Sequence, residues 1–137
     1  MNYSSVNKVK MIAKSAGWDG GKTEKDRKFL SDLKVLTSEY NDMPYNDITE
    51  IINVFKQNNC QFLFLHIREP QEIQRLVNDF GSKTLLITNK NVKQIKSNMA
   101  DANVQNFKYD FIIDNSGTLK ELEQKAVKFI KEVNYIN

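Results

Sequence analysis

The sequence predicts an α/β fold, with an open, parallel sheet flanked by helices in three layers. Three observations carry this prediction. Short, almost continuous apolar runs fall at residues 61–67, 83–88 and 110–114, the pattern of parallel strands buried on both faces. Around them, apolar residues recur at helical spacing. Each change of period coincides with a Gly, a Pro or a capping pattern that closes one element and opens the next.

Taken in order, Val6, Val9, Ile12 and Ala13 predict a first helix over residues 5–16, stopped at Gly17. Residues 17–22, Gly-Trp-Asp-Gly-Gly-Lys, read as a turn. Thr23 and Asp26 form a capping pair that opens a second helix, with Phe29, Leu30 and Leu33 as its apolar stripe. Asn41, Asp42 and Pro44 mark residues 37–45 as a loop. A third helix is expected over residues 46–57 on Ile48, Ile51, Ile52 and Phe55.

The run 61–67 is the first strand, and Glu69-Pro70 begins a helix that Gly81 ends after Phe80. Thr-Leu-Leu-Ile within 83–88 is the second strand. Residues 89–109 have weak helical patterning and read as a lid or flap. Phe111-Ile112-Ile113 is the core of the third strand. Thr118 and Glu121 then cap a final helix, expected to run to about Val133 on Leu119, Leu122, Ala126, Phe129 and Ile130.

The chain of 137 residues is one domain's worth of protein, long enough for a sizeable core. With 40% hydrophobic and 27% charged residues it matches ordinary globular composition, which excludes collagen-like and disordered classes. No apolar run approaches the ~18 residues of a membrane span, and the first ten residues lack a signal-peptide core. The cytosol is the expected compartment, with no membrane partner. Cys60 is the single cysteine, which excludes an internal disulfide and a cysteine-built zinc site. The net charge of +3 comes almost wholly from lysine, since only Arg27, Arg68 and Arg75 are arginine. Lysines alternate with acidic residues along helices, the mark of a solvated face and not of a nucleic-acid surface.

In parallel sheets, ligands bind at the carboxyl ends of the strands. Three loops lie there in this reading. Arg68-Glu69-Pro70 sits at a helix N-terminus, where backbone N–H groups favour a phosphate and Arg68 offers a bidentate fork. Pairing of Arg68 and Glu69 with neighbouring helices is the competing reading. His66 shares the Arg68 face by strand alternation, and inside so apolar a run it reads as a core residue. Residues 88–91 carry Lys90, either a phosphate ligand or one more solvated lysine. Residues 114–118, Asp-Asn-Ser-Gly-Thr, serve equally as a ligand loop or as a cap and turn.

Residues 16–23 end in Gly-Lys-Thr, yet they are not a phosphate-binding P-loop. That motif needs glycine at position 16, where Ala16 stands, and must follow a strand, whereas a helix is expected here. No spacing suggests metal ligands, and Cys60 lacks a His–Asp partnership. No catalytic residue is assigned.

Read together, the segments resemble the latter two-thirds of a phage-type deoxynucleoside monophosphate kinase, within the P-loop nucleoside-phosphate kinases. The resemblance rests on Gly17-Trp18-Asp19-Gly20 with Lys22, Glu24-Lys25 and Arg27-Lys28-Phe29-Leu30. It continues with Leu65-His66-Ile67-Arg68-Glu69-Pro70 and Glu72-Ile73. Its last stretches are Asn98, Ala100-Asp101 and Val104, then Tyr109-Asp110, Ile112-Ile113, Asn115, Gly117-Thr118-Leu119 and Leu122. These matches span nearly the whole chain in order, and each alone is of moderate specificity.

The resemblance implies that Trp18, Asp19 and Arg27 border a deoxynucleoside monophosphate pocket, with Arg68 and Glu69 on the substrate side of the central strand. It makes the 89–106 stretch a lid carrying Lys90, Lys93, Lys96 and Asp101, with lysines where the family uses arginine. It sets Asn115 and Gly117 in a loop beside the nucleotide base.

Members of the family begin with a strand and a P-loop ahead of the first helix, and this chain is expected to contain neither. ATP and Mg²⁺ therefore enter only if another chain supplies the loop. Two functions follow. One is a degenerate kinase-like domain that keeps the acceptor pocket but does not catalyse alone, or the complemented or truncated form of an active kinase. The other is a kinase-derived protein-binding factor of a phage or mobile element, for example one acting against host defence. A protein partner or a second copy would cover the missing strand.

Overall fold

A computed structural model describes residues 1–92 and 103–135 of the chain. It is mixed α/β. Among the described residues there are four short strands and five α-helices, and all strand pairing is parallel. The chain divides into two compact units, Met1–Arg68 and Glu69–Asn137. No helix among the described residues is long and apolar enough to cross a membrane.

The first unit holds β1 (Asn2–Ser4), α1 (Asn7–Ser15), α2 (Glu24–Asn41), α3 (Met43–Gln57) and β2 (Phe64–His66). The parallel register is Asn2↔Phe64, Tyr3↔Leu65 and Ser4↔His66. It is extended on one side by the Met1 ammonium donating to Phe62 O at 2.8 Å, and on the other by Ser5 N–H donating to His66 O at 3.2 Å. The core is the seam between α1 and α3. Val9 and Ala13, one helical turn apart, are fully buried, as is Ile48, with Tyr45 and Ile52 beside them. The hydroxyl of Tyr3 donates to Asp47 Oδ2 at 2.6 Å, which ties β1 to α3.

Local chemistry explains the helix ends. Thr23 and Asp26 make the full reciprocal capping box of α2, and Gly17 takes φ +95° just past α1. Between α2 and α3 a single residue, Asp42, adopts the left-handed conformation (φ 56°) and joins the two helices directly. Pro44 sits in the first turn of α3, where a missing N–H costs nothing.

The second unit holds α4 (Pro70–Phe80), β3 (Leu85–Thr88), a 3₁₀ turn at Val104–Asn106, β4 (Phe111–Asp114) and α5 (Leu119–Tyr135). Gly81 ends α4 with φ +64°, and Ile73 and Leu76 on α4 are buried. The register of β3 and β4 runs from Leu85↔Phe111 to Thr88↔Asp114. The Phe111 ring meets Phe129 of α5 edge-on at 5.1 Å, seating that helix on one face of the pair.

Five expectations change. The single three-stranded sheet is replaced by two separate two-stranded sheets, because β2 pairs with β1 and β3 with β4. A strand does precede the first helix. It was illegible because Asn2–Ser4 is short and polar, and it is held by its ladder and by the Tyr3–Asp47 bond. The loop expected at residues 37–45 shrinks to Asp42, since the αL conformation lets α2 run straight into α3. The strand expected at 61–67 is ordered as a ladder only at 64–66, the length that β1 can pair. Its two faces are not both buried: Tyr3 faces α3, while Phe64 and His66, on the opposite face, are exposed. His66 is therefore not a core residue.

Candidate functional site

The most completely built polar site lies at the carboxyl ends of β3 and β4. Asn115 N–H donates to Thr88 O at 2.7 Å, continuing the ladder one step past its last pair. Asp114 then turns the chain, its Oδ1 accepting from Ser116 N–H at 3.0 Å and also from the Ser116 hydroxyl. The two loops are laced together there. Lys90 N–H donates to Ser116 Oγ at 2.8 Å, and Asn91 Nδ2 donates to Ser116 O at 3.0 Å. Lys90 Nζ stands 3.6 Å from Asp114 Oδ2, and Lys125 Nζ of α5 donates to Asp114 O at 2.5 Å.

The start of α5 closes the other wall. Thr118 N–H donates to Glu121 Oε2 at 2.7 Å and Glu121 N–H returns to Thr118 Oγ1 at 3.3 Å, a reciprocal capping box. Gly117 fits against the Glu121 carboxylate so closely that a Cβ there would collide with it. Asp114, Ser116, Glu121 and Lys125, with Gln124 and Lys128, line an open groove of about 470 Å³. Hydrogen bonds from Ser116, above all from its hydroxyl, hold the Asp114 carboxyl below the usual carboxylate range, helped by Lys90 and Lys125. The Thr118 N–H does the same for Glu121, again with Lys125 nearby. Both stay ionised at neutral pH, so the groove offers fixed acceptors beside ammonium donors.

A second cluster occupies the link between α1 and α2. Trp18 N–H donates to Ala13 O at 2.9 Å, pinning the indole just past α1. Asp19 Oδ1 accepts from Gly21 N–H at 2.9 Å, and Arg27 Nε donates to Lys22 O at 3.2 Å. The Asp26 carboxyl is lowered, first by the Thr23 hydroxyl and then by Thr23 N–H. The buried Trp18 Nε1 lies toward this carboxylate without reaching hydrogen-bond geometry, and its pull on Asp26 is the weakest of these. Gly21-Lys22-Thr23 follows a helix, with Thr23 as the cap of α2.

Trp18 and Asp19 thus lie on one short link, to which Arg27 of α2 folds back through Lys22 O, and Lys90, Asn115 and Gly117 lie at one end of the β3–β4 pair. Arg68 lies two residues beyond β2, in the first unit, and Glu69 is the residue before α4, in the second. Lys93, Lys96 and Asp101 lie outside the described residues. Asp114 and Ser116 fall within the candidate loop 114–118 but were not singled out in it, and Lys125 was missed. The Asp-x-Ser turn at the end of an apolar strand was the available signal, since it marks a carboxyl-end loop.

The residues present do not fit an ATP–Mg²⁺ phosphate cradle. The β1–α1 link is only Ser5-Val6, with no glycine and no lysine, and too short to wrap a triphosphate. Among the described residues no group of three or more His, Cys, Asp or Glu side chains is arranged to hold a metal ion. No family model, curated protein or solved structure matches this chain.

Proposed function

We propose that this chain is the acceptor-side part of a nucleoside monophosphate kinase-like domain, one that binds a deoxynucleoside monophosphate and does not transfer a phosphoryl group by its own residues. One observation carries the reading. The loop after β3 is tied through Lys90 to Asp114 and Ser116 of the loop after β4, and these two residues line a groove with charged walls. This is where parallel strands bind ligands, and where the resemblance sets the base-side loop. The groove's ionised acceptors and ammonium donors suit a heterocycle that carries both donors and acceptors. Trp18, Asp19, Arg27, Arg68 and Glu69 are the residues that the resemblance, by itself, assigns to the substrate. A three-layer sheet completed by a strand and phosphate loop from outside these residues belongs to the same proposal, as does a cytosolic location. Phosphoryl transfer depends on that loop to position and neutralise the donor phosphates.

A second reading, a kinase-derived protein-binding factor, is favoured by apolar strand residues left open to solvent, Ile87 at 58% and Ile112 at 67% exposure. One experiment separates the two. The melting temperature is measured with each deoxynucleoside monophosphate, with and without Mg-ATP. At 100 times its Kd a ligand adds about 2.7 kcal/mol to native-state stability. For a chain of this length that raises the melting temperature by several degrees. The expected result is a base-selective shift with a monophosphate, absent for Mg-ATP alone and lost in Arg68→Ala. No shift with any nucleotide would overturn the kinase-like reading and leave the protein-binding one.

A further inference from the structure

The outward side of α2 carries an apolar stripe that nothing within the first unit covers. Phe29, Leu36 and Tyr40 lie within about 20° of one line along the helix. Their exposures are 38%, 63% and 85%. Phe29 and Leu36 line a groove of about 480 Å³ that also touches Asp32 and Glu39. A monomer rarely leaves so contiguous an aromatic and aliphatic strip in water.

Charge decides what fits on it. Lys25, Asp32 and Glu39 recur every seven residues and form a second line beside the apolar one. Asp32 is already bonded to Lys28 at 2.6 Å, whereas neither Lys25 nor Glu39 has an ion pair with another described residue. A second copy laid parallel about a two-fold axis would carry its charged line on the far side of the seam, so Lys25 and Glu39 would meet no charge of that line. Laid antiparallel about a two-fold axis at Asp32, Lys25 lies opposite the partner's Glu39, and Phe29 falls within one residue, about 1.5 Å along the helix, of the partner's Leu36. Two-fold symmetry repeats both contacts at the other end. At the centre, the Asp32 carboxylates meet with their charge already neutralised by Lys28. The stripe is thus self-complementary in one orientation only.

We propose that α2 pairs antiparallel with α2 of a second copy of this chain, as a two-fold homodimer seamed by Phe29, Leu36 and Tyr40 and oriented by Lys25–Glu39 pairs. Sedimentation equilibrium at micromolar concentration tests it. The expected mass is twice the 15.9 kDa of the chain. Leu36→Lys, at an exposed position that the monomer does not need, should give a folded monomer by circular dichroism. Lys25→Glu should weaken the dimer roughly tenfold, because it turns two attractive pairs repulsive. Lys25→Glu combined with Glu39→Lys should restore it. A wild-type chain that stays monomeric would overturn the proposal. So would a dimer indifferent to Leu36→Lys, or a double swap that fails to recover what the single change lost.

Discussion

Replacing Asp110 by alanine should loosen the amino-terminal end of the β3–β4 pair by an amount the geometry bounds. Asp110 Oδ2 accepts from Thr84 N–H at 2.8 Å and from the Thr84 hydroxyl at 2.8 Å, while Asp110 N–H donates back to Thr84 Oγ1 at 2.8 Å. Thr84 is buried at 7% exposure, so its N–H has little water to turn to when the carboxylate goes. A hydrogen bond to a charged group contributes about 1.5–3 kcal/mol. Asp110 itself is exposed, and solvent screening brings the expected total for Asp110→Ala down to roughly 2 kcal/mol. Asp110→Asn keeps one acceptor without the charge and should cost about 1 kcal/mol. Thr84→Val removes the other side of the tie, and the double-mutant cycle should show a coupling of about 1 kcal/mol.

The pH dependence has a defined sign. Thr84 N–H, then the Thr84 hydroxyl and the nearby Lys83 charge, hold the Asp110 carboxyl below the usual carboxylate range, against a smaller opposing effect of burial. A depressed folded pKa contributes stability that is present above the unfolded value of about 3.9 and is lost as pH falls through the folded one. The gap between wild type and Asp110→Asn should therefore be widest near neutrality and close in acid. Urea unfolding followed by far-ultraviolet circular dichroism is the suitable assay, because Trp18, the only tryptophan, lies in the other unit. An Asp110→Asn chain as stable as wild type at pH 7, or a gap constant down to pH 2, would refute the reasoning.

Two further outcomes concern the first unit. Burial, followed by the bond to Asp47 and the charges of Asp47 and Glu50, pushes the Tyr3 hydroxyl up to about 12. The stability it lends is whole below pH 10 and lost as pH rises toward 12. In an ultraviolet titration Tyr3→Phe should remove the late-titrating phenol, at a cost of about 1–2 kcal/mol at neutral pH. An unchanged late phase would show that another tyrosine carries it. Asp42, at φ 56°, should tolerate asparagine, whereas Asp42→Val should lose about 1–2 kcal/mol in chemical denaturation. Equal stability of the two variants would show that the α2–α3 junction can relax out of the left-handed conformation.

Much of the local structure was legible because it is enforced by residues close in sequence. The capping boxes of α2 and α5 and the Gly81 stop of α4 all appear where their residues predict them. In each case the partner of an orphaned backbone group lies within four residues, so no tertiary information is needed. The Asp42 junction is an exception even at this range. Asn, Asp and Pro signal a break, yet one residue in the left-handed region reverses the chain without a loop.

The site at the end of β3 and β4 was half legible. Asn115 and Gly117 belong to a recognisable turn, but the choice of Lys90 over other lysines in a lysine-rich chain needed the register that brings residue 90 to residue 116. Lys125 joins them only because α5 packs on that strand end.

What the amino-acid sequence by itself determined is the alternation of parallel strands and helices and the caps that bound them, because period and capping are short-range properties. Which strands pair was decided only by the tertiary structure. Asn2–Ser4 has no strand signal of its own and becomes β1 through the Phe64–His66 ladder and the Tyr3–Asp47 bond. The apolar run at 61–67 looked buried on both faces, yet burial depends on what lies across each face, and no local pattern records that.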